Sequence, residues 1–381
     1  MVELLFVVGI AVAVFVGFNI GGSSTGVAFG PAVGSGTLSK LLAAGLMTGF
    51  ALLGGWTVGR EVVNTMGGQI VPQTRFTLAA SVAVLFFVGF ALLISNLSGV
   101  PASTSMTAVG AIAGLGAASG SLNMEKMGEI ISWWLIAPVI AFWLCAVIGR
   151  YFYPYLVSNI DLEADEDGNV TTKQRIGQVL VVVIGCYMAF SAGASNVANA
   201  VAPLVGSGEL GLEPGILLAG GAIGLGAFTI ARRTLDTVGN DLTDLPLLAA
   251  LIVEAVSASI ITFLSALGIP ASLAVSATMA IVGLGWGRAT RTTKISEAAG
   301  KAVSGEAPEQ VTPDKSVSAA LSADQPGGEV ARIGEEEANE LKASDLFNPG
   351  TTARVISLWI LTPSISAVAS FLLFSAFPIY G

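Results

Sequence analysis

Long apolar runs separated by short polar breaks fill most of this chain. Eight stand out: Leu4–Ile20, Leu41–Trp56, Phe76–Ile94, Ile130–Tyr153, Ile176–Phe190, Ile216–Ile230, Leu247–Leu267 and Val355–Phe377. A helix needs about 20 residues to cross ~30 Å of hydrocarbon, so most of these runs predict membrane spans. The first has Glu3 where a secretory leader would be basic, and it runs past Phe18 with no small-residue cleavage site. It is therefore read as a span and not as a removable signal. Between the runs lie Gly/Ser/Pro-rich stretches too polar and broken to cross as regular helices. Irregular backbone at that depth survives only when buried in protein or lining a wet cavity. Four half-depth helical hairpins are expected, at about Gly21–Gly36, Pro101–Ala118, Gly193–Gly208 and Pro270–Gly287.

The pattern occurs twice. GPAVGSG (30–36) returns as APLVGSG (202–208), 172 positions on, and VPASTSMTAVGAIAGLG (100–116) returns as IPASLAVSATMAIVGLG (269–285), 169 on. ISWWLIAP (131–138) returns as ISLWILTP (356–363), 225 on, so 225 minus 169, or 56, extra residues sit in the second half. The resulting division is a first transmembrane repeat (1–157), an acidic linker (158–175), the first part of a second repeat (176–287), a soluble insert (288–350) and a last span (351–381). Paired halves carrying broken helices at matching positions point to a transporter with its site at their interface. The fold class is an all-α polytopic membrane protein built from two homologous repeats with re-entrant hairpins. Lys/Arg placement leaves open whether the halves are parallel or inverted. Hairpins that return to their own side would put Arg60, Arg75, Arg150 and Arg232 together, with Arg288, Arg291 and the insert opposite.

Composition supports the membrane assignment: 53% of residues are hydrophobic and 11% charged, against about 25% charged in soluble domains. The net charge of −9 is concentrated outside the spans, in DLEADED (161–167) and Glu306–Asp345. Such acidity suits high salt, where self-repulsion is screened, and points to a prokaryotic, haloarchaeal cell membrane. Cys145 and Cys186 both lie in apolar runs, which suggests packing and no disulfide or metal framework. With no histidine in the chain, a coupled proton must ride on a carboxylate or on the substrate. The same absence argues against most membrane enzymes, and nothing resembles a nucleic-acid footprint. An anion channel is a second class, distinguished by a ring-like filter.

Helix N-termini expose unpaired N–H groups and the positive end of the dipole, so several of them meeting in mid-membrane make an anion site without a buried lysine. Pro101-Ala-Ser103-Thr104-Ser105 and Pro270-Ala-Ser272 are such starts, and Ser23, Ser24, Ser195, Asn196 and Asn199 are expected to face them. Ser103, Thr104, Ser105, Ser195, Asn196 and Ser272 are assigned to the substrate, with Ser23, Ser24, Asn199 and Glu254 assigned to a coupling ion. Glu254 stands alone inside a span, where a charge is costly and suggests function. Small residues also line packed membrane helices, but packing does not need asparagine in a Gly/Ser segment.

GGSSTGVAFGPAVGSG (21–36) and FSAGASNVANAVAPLVGSG (190–208) resemble the duplicated Gly-Ala-Asn-Asp-Val-Ala-Asn-Ala signature of the PiT inorganic phosphate transporters, and PASTS (101–105) resembles their Pro-x-Ser-Thr-Thr hairpin start. The resemblance implies inverted repeats, a homodimer in the lipid bilayer, no cofactor beyond a bound sodium ion, and phosphate uptake coupled to sodium or protons. Both signature aspartates are missing: Ser195-Asn196 and Ser23-Ser24 stand at the Asn-Asp positions, and Val27 replaces the later Asn kept as Asn199. In the family those side chains are implicated in cation binding, so sodium coupling is in doubt. With Asn19-Ile-Gly ahead of the serines, the pattern is similar to a related sulfate permease branch. A carboxylate can accept a hydrogen bond from protonated phosphate but only repels sulfate, which carries no proton. Phosphate ranks slightly ahead on family grounds, and sulfate follows closely.

Overall fold

The computed structural model describes residues 2–97, 103–159, 172–229, 246–292, 333 and 349–381. Every regular element among them is helical: α1 (Val2–Gly34), α2 (Lys40–Thr57), α3 (Gly59–Asn64), α4 (Leu78–Leu97), α5 (Thr104–Ala118), α6 (Met124–Val147), α7 (Tyr153–Asn159), α8 (Thr172–Gly206), α9 (Leu212–Thr229), α10 (Leu247–Ala266), α11 (Leu273–Ala289) and α12 (Pro349–Ala376). Wide π turns at Thr65–Gln69 and Ile148–Phe152 extend α3 and join α6 to α7. Five helices are long and apolar enough to cross a membrane, or up to six when α2 and α3, bent by 63°, count as one broken span. Most of the linker and insert lie outside the described residues, as does Arg232.

Two of the four expected hairpins do not form. Gly21–Gly34 lies inside α1 and Gly193–Gly206 inside α8, unbroken helices of 33 and 35 residues. Their glycines are contact points and not breaks. A Cβ on Gly21 would fall 1.9 Å from the Ile223 carbonyl oxygen, and one on Gly193 would fall 2.0 Å from that of Ala51. Away from water the backbone keeps its internal bonds, and small residues let two helices touch. Thr25 also turns its hydroxyl onto the Gly21 carbonyl at 2.7 Å, within its own helix.

The other two expected hairpins are single helices, α5 and α11, each folded back on the helix before it. The returning pairs are therefore α4–α5 and α10–α11, and the runs read as spans at Phe76–Ile94 and Leu247–Leu267 are hairpin arms. The 15 residues of α5 and 17 of α11 reach about 22 and 25 Å at 1.5 Å per residue, short of a crossing. In the first pair α4 starts where Gly9 meets Val82, near the chain's beginning. The far end of α5 returns to that side, where Gly116 lies against Val71 and Asn123 N–H donates to Ile70 O at 2.9 Å. In the second pair the chain turns at Gly268, where Ile269 N–H donates to Leu264 O at 2.9 Å, and α11 packs back along α10. At the end of α11 Arg150 donates to the Thr290 carbonyl, so this pair also leaves where it came in.

Equivalent helices exchange partners between the halves. Helix α1 packs on α9 and α2 on α8, while α5 packs on α12 and α6 on α11. The match extends to atoms: Gly54 meets Phe190 O and Gly226 meets Phe18 O, with hypothetical Cβ distances of 1.9 and 2.1 Å. Helices α1 and α8 run antiparallel, since Gly9 touches Leu204 while Gly185 touches Ala28 and Phe29. At their C-terminal ends Gly36 (φ 71°) and Gly208 (φ 77°) occupy the same left-handed position after the helix, which favours glycine. Arg150 and Arg291 share one end of the molecule, because Arg291 donates to Arg150 O at 3.0 Å. Arg75, which donates to Gly381 O, stands at the other end. That corrects the expected grouping of Arg150 with Arg60 and Arg75, which treated all four Gly/Ser stretches as returning hairpins.

Candidate functional site

Three elements bring the polar side chains together. Helix α5 begins in mid-protein with Ser103 as its N-cap, the hydroxyl accepting from Met106 N at 3.3 Å. The Thr107 hydroxyl then donates to Ser103 O at 2.8 Å, and the amides of Thr104 and Ser105 are left without acceptors in their own helix. The middle of α8 lies against this start. Thr104 Oγ1 donates to Asn196 Oδ1 at 2.5 Å. Asn199 Nδ2 lies within reach of Asn196 Oδ1 (3.0 Å), Ser105 Oγ (3.1 Å) and Thr104 Oγ1 (3.3 Å). Asn199 is fully buried, yet its Oδ1 has no hydrogen-bond partner.

Of the residues expected to hold the substrate, Thr104, Ser105 and Asn196 are joined in one network. Asn199, assigned to the coupling ion, joins the same network. Ser103 and Ser195 flank it, both buried; the Ser195 hydroxyl turns back to Ala192 O at 3.3 Å. Ser272 caps α11 in the other hairpin, accepting from Val275 N at 3.3 Å, and no hydrogen bond joins it to the network. Ser24 is half-buried in α1, while the side chain of Ser23 lies outside the described set. Glu254 is buried on α10, without a hydrogen bond to the cluster. Ser24, Ser195, Asn196 and Asn199 therefore sit within unbroken helices, not at helix starts.

Supports that residue-type reasoning missed hold the second hairpin tip. Trp134 Nε1 donates to Pro270 O at 2.7 Å, and Gly268 (φ 71°) lies against Thr65 and the Glu61 carbonyl. On α8, Ser191 donates to Ala258 O at 3.1 Å, tying the site-bearing helix to α10. The recurring tryptophans Trp134 and Trp359 in the third repeat block were the available signal for the first of these.

The cluster is one-sided. Thr104, Ser105, Asn196 and Asn199 have Leu273, Ala274, Ser24 and Val27 as their repeat equivalents. One member of the related pair of positions is polar and the other largely apolar. Donors dominate the polar member: two helix-start amides, hydroxyls and a carboxamide. An oxyanion can be received there by neutral groups and a helix dipole. The unpartnered Asn199 Oδ1 could accept a proton donor or bind a cation. Among the described residues no group of three or more His, Cys, Asp or Glu side chains forms a metal site.

Paired helices that exchange partners, with half-depth hairpins and a buried polar cluster beside one tip, define a polytopic α-helical membrane transporter. The sequence profile of the phosphate transporter family matches residues 20–165 and 155–370. The chain belongs to that family. It is 32% identical to the sulfate permease CysP of Bacillus subtilis over 274 residues, covering 72% of this chain and 75% of the relative. A putative phosphate permease of Haemophilus influenzae is 24% identical, covering 72% and 86% of the two chains. A solved sodium-dependent phosphate transporter aligns over 98% of this chain and 100% of its own with a TM-score of 0.65; at 17% identity it bears on the fold alone.

Proposed function

We propose that the protein is a secondary transporter of a tetrahedral inorganic oxyanion and that sulfate is its preferred substrate, ahead of phosphate. The observation that carries this reading is the acid-free network of Thr104, Ser105, Asn196 and Asn199 at the start of α5. Sulfate, fully ionised at neutral pH, needs donors and is repelled by a carboxylate. Phosphate retains one or two protons and gains from a nearby acceptor. The similarity to a sulfate permease supports the same choice. It reverses the slight lead that family membership alone gives phosphate.

The α5 amides and the hydroxyls of Ser103, Thr104 and Ser105 would donate to the anion, with Asn196 and Asn199 closing the site from α8. Ser195 and Ser272 would enter as one hairpin bundle rocks against the other helices. The antiparallel run of α1 and α8 supports inverted halves. Described Lys/Arg residues concentrate at the end bearing Lys40, Arg150, Arg175, Arg288 and Arg291, which we take as the cytoplasmic face. A cell-membrane location and a homodimer accord with this reading. Uptake of labelled sulfate and phosphate into proteoliposomes, under a sodium gradient or a pH gradient, tests it. Sulfate uptake at least tenfold above phosphate is expected, and phosphate preference would overturn the substrate assignment.

A further inference from the structure

Helix α10 carries polarity that the fold itself does not require. Glu254, Ser257 and Ser265 lie within an arc of about 80° on one face at 100° per residue, and Thr262 lies about 60° beyond it. Glu254 is 6% exposed and has no hydrogen bond or ion pair among the described residues. The hydroxyls of Ser257, Thr262 and Ser265 are buried without a partner. Ser366 on α12 is also buried without a partner, but many hydroxyls inside the other helices bond a backbone carbonyl. The buried hydroxyls of Thr25 and Thr107 and the half-buried ones of Thr48 and Thr278 each bond a carbonyl four residues back. Exposed Ser259 on α10 does the same with Ala255 O at 2.7 Å, but Ser257, Thr262 and Ser265 leave that option unused, and unsatisfied buried donors are costly.

The other half shows what the same helix needs for packing. In α4 the equivalents of Glu254, Ser257 and Thr262 are Leu85, Val88 and Leu93. Leu85 and Val88 are fully buried, so leucine and valine fill this place in the architecture. Only near the tip, where Ser265 matches Asn96, are both halves polar.

Resting on the transporter reading above, we propose that Glu254 and the hydroxyls of Ser257, Thr262 and Ser265 form a proton-carrying track along α10, with a proton as the coupling ion. The track spans about 16 Å at 1.5 Å per residue, from Glu254 to the hairpin tip. Water bonded to the free hydroxyls fills the intervals, as it does at buried polar sites generally. The Glu254 carboxylate takes a proton from water on one side of the membrane, stays neutral while the loaded site turns, and returns the proton to water on the other. One carboxylate and three strung-out hydroxyls do not make the closed oxygen shell that a metal ion requires. The Ser191–Ala258 bond links this helix to α8, one turn before Ser195.

The groups around the carboxyl do not replace it. Ionisable side chains in the interior include Cys186 and the partly buried Tyr187 on α8, Cys145 on α6 and Tyr153 on α7, with the buried Arg150, Arg288 and Arg291 gathered at one end of the molecule; Tyr187 is paired with Ser259. Arg175 on α8, Arg288 on α11, Glu125, Lys126 and Glu129 on α6, Arg60 and Glu61 on α3, and Glu3 on α1 stand near helix ends.

The test uses the full chain in proteoliposomes loaded with a pH-sensitive dye, with labelled sulfate as probe. Wild type should accumulate sulfate under an inward proton gradient and acidify the lumen as it does so. E254Q should lose that accumulation, to within twofold of the level without a gradient, while sulfate–sulfate exchange stays within about threefold of wild type. E254Q with full gradient-driven accumulation overturns the proposal. If E254Q loses exchange as well, S257A/S265A decides: slower proton-driven uptake with exchange intact supports the track, and unchanged uptake overturns it. Wild type that exchanges sulfate but ignores the pH gradient also overturns the track. Wild type that moves neither sulfate nor phosphate overturns the transporter reading beneath it.

Discussion

Thr104 Oγ1 donates to Asn196 Oδ1 across 2.5 Å, joining the start of a half-depth helix to the middle of an unbroken one. Thr104→Val keeps a β-branched shape but removes the donor, at a cost of about 1–3 kcal/mol in a buried network. We expect anion uptake to fall about tenfold or more, since 1.4 kcal/mol is a factor of ten. Thr104→Ser, which keeps the hydroxyl, should stay within threefold. Initial rates in proteoliposomes check this, and wild-type uptake by Thr104→Val would remove Thr104 from the site.

Gly54 and Gly226 hold equivalent crossings in the two halves, against the carbonyls of Phe190 and Phe18. An added methyl at either would meet an oxygen near 2 Å, so the helices must separate. Overpacking of this kind costs roughly 1–3 kcal/mol. Gly54→Ala and Gly226→Ala should lower the melting temperature in detergent by similar amounts. Gly45→Ala, with nothing within 4 Å, should leave it unchanged. Unequal losses would count against equivalent packing of the halves.

Most of the architecture is legible in the chain because its signals are local or duplicated. Apolar run length announces most of the spans, though not that α4 and α10 turn back as hairpin arms, and repeated blocks announce two halves. Ser103 and Ser272 fall at helix starts where Pro-Ala-Ser suggests them. The motifs at 21–36 and 193–208 mislead because glycine reads the same whether it breaks a helix or lets a neighbour approach. Only Ile223 and Ala51, far away in sequence, decide between the two. The joining of Asn199 to the substrate-side hydroxyls, and the support of Pro270 by Trp134, are likewise long-range facts. No spacing rule carries them.

Repeat-equivalent loops should face opposite sides of the membrane. Ser35 follows α1 and Glu209 follows α8, and both are exposed at the ends of antiparallel helices. With the arginine-rich end cytoplasmic, Ser35 lies inside and Glu209 outside. In intact cells an impermeant maleimide should label Glu209→Cys and spare Ser35→Cys until the membrane is opened. The native Cys145 and Cys186 are buried and give little background. Labelling of both from one side would refute the opposed orientation.

Asn196→Asp returns a carboxylate to the position where the resemblance places an acid in phosphate transporters. The side chain lies in direct hydrogen-bond contact with Thr104 and Asn199, so a negative charge there faces any anion held by the α5 start. Repulsion between close like charges in a partly buried site amounts to several kcal/mol at an effective dielectric near 20. Sulfate has no proton with which to offset that term. Monohydrogen phosphate can turn its hydroxyl toward the carboxylate and convert part of the repulsion into a charge-assisted hydrogen bond. The sulfate-to-phosphate uptake ratio should therefore fall at least tenfold in Asn196→Asp, with sulfate loss providing most of the change. Because the discrimination depends on an ionised carboxylate, it should fade as the assay pH is lowered and the aspartate gains a proton. Competition between the two labelled anions across a pH series measures both effects together. A ratio that does not move at neutral pH would place Asn196 away from the transported anion and leave the acid-free network without a role in choosing it.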